Sequence, residues 1–174
     1  ASAKAKKLAT RDAQRVSILC YHRVDDRLKD NVTLGLEQFD RQIGLLKQRY
    51  EVVRADAIVR GEIDRSGDRP IVAVTFDDGY LDNYTNARPI LNKHGVPATF
   101  FVSTDREFQH DVEKNVRGLP NMSWDQIREL HADGHEIGAH TINHVNIARV
   151  DQATAEQELT ESLARVRQEI GVQE

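Results

Sequence analysis

Residues 71–76, Ile-Val-Ala-Val-Thr-Phe, run without a charge from Pro70 to two adjacent acids, Asp77 and Asp78, and Gly79 follows at once. Such a run reads as a strand buried on both faces, which belongs in a parallel sheet. The rest of the chain repeats the theme. Residues 16–22 read as a strand, and Leu36, Phe39, Ile43 and Leu46 then recur at helical spacing. Residues 51–53 read as a short strand. Ala87, Ile90 and Leu91 mark a helix ending near Gly95, with Pro89 in its first turn. Residues 98–102 form the next strand, and a polar segment, about 104–121, reads as an inserted loop. Ser123 and Gln126 have the spacing of a capping box, with Met122 stapling onto Ile127, and Gly134 ends that helix. After a strand at residues 136–139, Leu159, Leu163, Val166 and Ile170 mark the apolar face of a last helix, stopped by Gly171.

Strand and helix alternate about five times, which predicts an α/β fold with a parallel sheet and helices outside it. This pattern suits a doubly wound sheet and a barrel equally. In either, ligands gather beyond the carboxyl ends of the strands, and His22, Asp77, Asp78 and His140 all stand at such ends.

The chain of 174 residues is long enough for one domain with its own core. Its net charge of −4 points away from nucleic acid, and Lys4, Lys6 and Lys7 read as a solvated tail. The single cysteine, Cys20, excludes an intrachain disulfide and leaves the compartment open. No apolar run approaches the roughly 18 residues of a membrane span. No signal peptide is visible, and the sequence starts at Ala1 without Met.

A buried carboxylate costs several kcal/mol unless it is paired or bound to metal, so the two acids at the end of a buried strand need a reason. One reading is structural: an Asp after a strand caps the next helix. A second comes from His140 and His144. If the chain coils there, one helical turn brings both imidazoles to the same side, a usual way to present two nitrogen ligands to a metal. An HxxxH spacing alone is a weak signal. Together with an acid from a neighbouring strand end it makes three ligands with an open position, the pattern of catalytic zinc. The other acid is then placed as a base towards water. The residues alone do not say which of Asp77 and Asp78 has which role.

"TFDDG" at 75–79 with "HTINH" at 140–144 resembles the first two motifs of the NodB-homology polysaccharide deacetylases, carbohydrate esterase family 4. "ILCYHRV" at 18–24, "GVPATFFV" at 95–102 and "MSWDQIRELHADGHEIGAHT" at 122–141 are similar to that family too. The resemblance implies a distorted (β/α)7 barrel and a divalent-metal hydrolase that removes acetyl groups from N-acetylated, sometimes O-acetylated, glycans, cleaving the C–N bond of the acetamide in the main case. It implies Asp77 as catalytic base and Asp78, His140 and His144 as metal ligands. Zinc is the first expectation, with cobalt or nickel able to serve. It also favours an extracytoplasmic location. His22, on the same rim, is a candidate substrate contact.

The family's later motifs, an Arg-bearing strand with a Pro-Gly turn and a Leu-x-His carrying the general acid, have no match here. The expectation is therefore residues 1–15 as an extension and 16–174 as a catalytic domain incomplete at its C-terminal end. A further segment or an exchanged element would close the barrel. Two rival functions follow: a related C–N hydrolase for a small linear or cyclic amide, and a catalytically incomplete carbohydrate-binding module.

Overall fold

The computed structural model describes residues 16–64, 66–105 and 120–172. The expected N-terminal extension and most of the polar loop, with His110, lie outside the described residues. The elements are β1 (Val16–Tyr21), β2 (Arg23–Val24), β3 (Thr33–Leu34), α1 (Leu36–Arg49), β4 (Glu51–Val53) and α2 (Ala55–Arg60). There follow β5 (Ile71–Phe76), a π-type turn at Asn83–Ala87, α3 (Arg88–His94), β6 (Thr99–Val102), α4 (Trp124–Ala132) and β7 (Glu136–Ala139). A 3-10 turn at Ile147–Arg149 and α5 (Gln152–Ile170) complete the order.

The parallel sheet is built around β5. β1 pairs with it along its whole length, from Val16 opposite Ile71 to Tyr21 opposite Phe76. That fills one edge of β5. The other edge is shared: β4 pairs with Ile71–Ala73 and β6 with Thr75 and Phe76. β7 then pairs with β6. With both edges occupied and all six residues buried, β5 is the central strand its composition predicts.

Local signals explain the helix limits. Ser123 and Gln126 form the reciprocal capping box of α4, and Pro89 sits in the first turn of α3. Left-handed Gly95 and Gly171 close α3 and α5, where a residue without Cβ adopts positive φ freely.

The main core lies on one side of the sheet. Val72, Val74 and Phe76 of β5 and Phe100 and Val102 of β6 alternate along their strands, so they share a face. The same cluster takes in Phe39 and Ile43 of α1, Leu91 of α3, Ile127 and Leu130 of α4, and Val166 of α5. The four longer helices therefore cover one face, as in a barrel wall. Near the carboxyl ends, Phe76 stacks on Phe100 at 4.8 Å between centroids and on Tyr21 at 5.5 Å. Among the described residues the sheet has five strands and is open, β1 and β7 being its edges.

Two expectations need correction. Leu159 and Leu163 do not face the core: they are 51% and 41% exposed, while Glu158, Ser162 and Val166 form the buried face of α5. The helix is turned so that the Glu158 carboxylate reaches backbone N–H groups it must satisfy. Second, the first strand stops at Tyr21, and His22 lies just beyond it.

Gly138 in β7 exists for close approach. A Cβ there would lie 2.5 Å from Cδ1 of Phe101. Gly138→Val is expected to destabilise the fold by about 1–3 kcal/mol through overpacking, read as a lower midpoint in urea unfolding with the slope unchanged.

Candidate active site

The end of β5 determines where the two acids go. The Asp77 N–H donates to the Tyr21 carbonyl at 3.0 Å, extending the β1–β5 ladder by one residue. Asp78 then takes φ +73° and Gly79 φ +75°. Two successive left-handed residues turn the chain sharply, and Asp is among the few side chains that tolerate this region. Gly79 is also short of room, since a Cβ would meet Val102 Cγ1 at 3.0 Å.

The histidine segment converges on Asp78 by a different route from the one its spacing suggests. Residues 140–144 are not helical. They form a bend in which Thr141 and His144 have φ of +64° and +54°. The non-glycine residues with positive φ among the described residues are thus Asp78, Thr141 and His144, all at this site. Such conformations cost about 1–3 kcal/mol each and persist only where the surroundings enforce them.

The enforcement is visible. On one side β6 continues its ladder into the bend: His140 N–H donates to Val102 O, Thr104 N–H to Thr141 O and Asp105 N–H to Ile142 O. The Ser103 hydroxyl donates to His140 O at 3.2 Å. On the other side the buried Glu158 of α5 accepts from Ile142 N–H at 2.7 Å, Asn143 N–H at 3.0 Å and Asn143 Nδ2 at 2.6 Å.

The result brings three ligand atoms together. Asp78 Oδ1 lies 3.0 Å from His144 Nε2 and 3.3 Å from His140 Nε2. Oδ1 is buried and has no hydrogen-bond partner of good geometry. A buried carboxylate oxygen facing two ring nitrogens suits a shared cation, and all three atoms lie within 4.8 Å of one another. Burial opposes ionisation of Asp78, but the hydrogen-bonding and charge influence of His140 and His144 outweighs it and holds the carboxyl below the usual range. Asp78 in turn raises His144.

Asp77 points to a separate group. Its Oδ2 accepts from Cys20 Sγ at 3.1 Å and lies 4.0 Å from His22 Nε2. Burial and the neighbouring Asp77 push the Cys20 thiol up to about 11, so it is a donor at neutral pH. The rim beneath is fixed by Arg23, buried at 3.5 Å from Asp82, whose other oxygen accepts from Val24 N–H. Burial pushes Asp82 up to about 6 despite that cation.

The structure brings Asp78, His140 and His144 to one point, and sets Asp77 and His22 beside each other. Sequence reasoning missed Cys20 and Glu158. Cys20 had a usable signal, its two-residue spacing from His22 on a strand. Glu158 had none, because an acid on an amphipathic helix normally faces water.

A parallel α/β sheet thus carries a candidate cation-binding group on its carboxyl rim, with a second carboxylate, Asp77, next to it. Comparison with known proteins gives the family. A profile of the family described as polysaccharide deacetylase matches residues 64–174, and the chain belongs to that family. A chitooligosaccharide deacetylase of Bradyrhizobium sp. (strain ANU 289) is 31% identical over 118 residues, covering 67% of this chain and 48% of the relative. The structure of IcaB from Ammonifex degensii superposes with a TM-score of 0.67 at 27% identity, covering 91% of this chain and 71% of that one. The Streptococcus pyogenes deacetylase PplD, solved in complex with acetate, shares the fold with a TM-score of 0.76 at 22% identity, over 90% of this chain and 70% of that one. The chain spans about half the length of the curated relatives it matches.

The Glu158 clamp makes a pH-dependent prediction. Burial would raise Glu158, but the hydrogen bonds from Asn143 and Ile142 bring it below its ordinary 4.5. A carboxylate depressed in the folded state adds stability above its unfolded pKa and loses it as pH falls through the folded value. Glu158→Gln should therefore cost about 1–3 kcal/mol at pH 7. The gap to the parent protein should shrink steadily below pH 4.5 in chemical unfolding.

Proposed function

We propose that the full-length protein is a metal-dependent deacetylase of N-acetylated glycan, with Asp78, His140 and His144 as ligands and Asp77 as general base. The single observation behind this reading is the meeting of Asp78, His140 and His144 within 4.8 Å, one residue along from Asp77. Family membership supports the substrate class. The name of the Bradyrhizobium relative, a chitooligosaccharide deacetylase, suggests an N-acetylglucosamine oligomer.

A divalent ion bound by these three residues, zinc first among the candidates, would supply a Lewis acid for the acetyl carbonyl and the attacking water. Asp77 accepts the water's proton as the water attacks the amide carbon. Its place immediately before Asp78 keeps it at the site without using it as a ligand. The Cys20 thiol donates to one Asp77 oxygen and leaves the other available for the proton. In this reading His22, which lies 4.0 Å from Asp77, would contact the sugar. The C–N bond breaks to give acetate and an amine, and protonation of the amine is assigned to a group other than these. Among the described residues β1 and β7 are the edges of the sheet, and further strands would pair there to complete the wall.

No described helix is long and apolar enough to cross a membrane. An extracytoplasmic site of action is part of this proposal and rests on the family resemblance.

The test is acetate release from a chitooligosaccharide by the full-length gene product. Asp77→Asn should keep its metal and lose activity by a factor on the order of 10² or more. His140→Ala should lose metal and activity together. Undiminished turnover in Asp77→Asn would remove it from the mechanism.

A further inference from the structure

We propose that Cys20, His22 and Asp77 form a second metal site, selective for thiophilic ions such as Zn2+ or Cd2+, and that an ion there withdraws Asp77 from its role as base. The binding claim stands on geometry alone; the inhibitory consequence rests on the deacetylase reading above.

The convergence follows from strand register. Cys20 lies opposite Thr75, and the Asp77 N–H bond to Tyr21 O carries the same register one step further, setting His22 beside Asp77. Side chains two apart on a strand share a face, and residues in register on parallel neighbours do too. Cys20, His22, Thr75 and Asp77 therefore project from one face of the sheet, opposite the stacked aromatic row of Tyr21, Phe76 and Phe100.

The ligand atoms of Cys20, His22 and Asp77 all lie within 4.8 Å of one another. A tetrahedral zinc with ordinary bond lengths separates its S, N and O ligands by about 3.3–3.6 Å. The separations here are 3.1 Å for Sγ to Oδ2 and 4.0 Å for Nε2 to Oδ2. The Sγ-to-imidazole separation also lies within 4.8 Å, and small side-chain rotations would bring the three atoms to bonding separations. His22 is one-third exposed and Cys20 is exposed, and both border an open surface pocket with Asn31, Thr33 and Gln42. An ion arriving from this pocket would meet Cys20 and His22 first, and water would serve as its fourth ligand.

The two sites differ in softness. Asp78, His140 and His144 offer oxygen and nitrogen, whereas this one adds sulfur, which favours zinc and cadmium over magnesium and manganese. Binding breaks the Cys20 S–H bond: the proton goes to solvent, the sulfur bonds the ion, and no electron is transferred. The hydrogen bond from the thiol to Asp77 Oδ2 is lost, that oxygen is committed to the ion, and the ion's charge makes the remaining oxygen of the same carboxylate a weaker base.

The test is a cadmium chloride titration of the metal-free full-length protein, followed by calorimetry and by the ultraviolet thiolate-to-cadmium charge-transfer band. Two ions per chain are expected, one of them with the band. Cys20→Ser should bind one fewer ion and lose the band, and Cys20→Ala should do the same, each checked for the parent's melting transition. His140→Ala should keep the band while losing the other ion. The idea is overturned by a parent protein without a band, by a band that survives both Cys20 substitutions, or by one that disappears in His140→Ala. In the activity arm, the ratio of acetate release at one equivalent of zinc to that at large excess should exceed tenfold in the parent and approach one in Cys20→Ser. Equal ratios in the two proteins would overturn the inhibitory role. Absence of all turnover would count against the deacetylase reading, with the band still deciding the site.

Discussion

Everything at the rim depends on the left-handed turn at Asp78 and Gly79. A strand in regular geometry would send consecutive side chains to opposite faces. Here the β5 ladder holds as far as the Asp77 N–H, and the chain then reverses at φ +73° and +75°. Asp77 stays on the sheet face beside Cys20 and His22, while Asp78 swings towards the histidines. Adjacent acids at one strand end serve separate purposes because the backbone turns sharply after Asp77, and position 79 takes glycine because a Cβ there would meet Val102.

Strain at three non-glycine residues, Asp78, Thr141 and His144, has to be offset by surrounding contacts. The offset comes from both flanks of the histidine bend. β6 supplies a continued ladder, and α5 supplies Glu158, whose carboxylate takes three N–H groups. An acid buried in the helix face is itself unfavourable. The bend repays it with donors, and the acid repays the bend by satisfying backbone groups that a helix or ladder would otherwise have paired. Asp82 plays a similar part after β1: it accepts from Val24 N–H, and the buried Arg23 lies 3.5 Å from its other oxygen.

Much of this arrangement was legible in the residues. An uncharged run between Pro70 and Asp77 meant a central strand, and β5 is flanked on both edges. The capping box of α4 and the glycine stops of α3 and α5 were readable because each depends on local chemistry. The spacing of His140 and His144 pointed to a shared site, but the bend that joins them was not readable, since positive φ at a β-branched threonine is imposed by tertiary contacts. The buried face of α5 was misread for the same reason. Apolar periodicity favoured Leu159 and Leu163, yet the helix turns to satisfy the bend through Glu158. Cys20 passed as one more apolar residue of β1, because its partner lies 57 residues away.

The central claim is that Asp78, His140 and His144 are one ligand set and Asp77 is not part of it. The most direct measurement is anomalous diffraction from crystals of the full-length protein grown with one equivalent of zinc. The account predicts one strong peak about 2.0–2.2 Å from an Asp78 oxygen and from Nε2 of both His140 and His144, with Asp77 outside bonding distance. An ion at that point bonded to Asp77 as well, or the three side chains lying apart from one another, would contradict it.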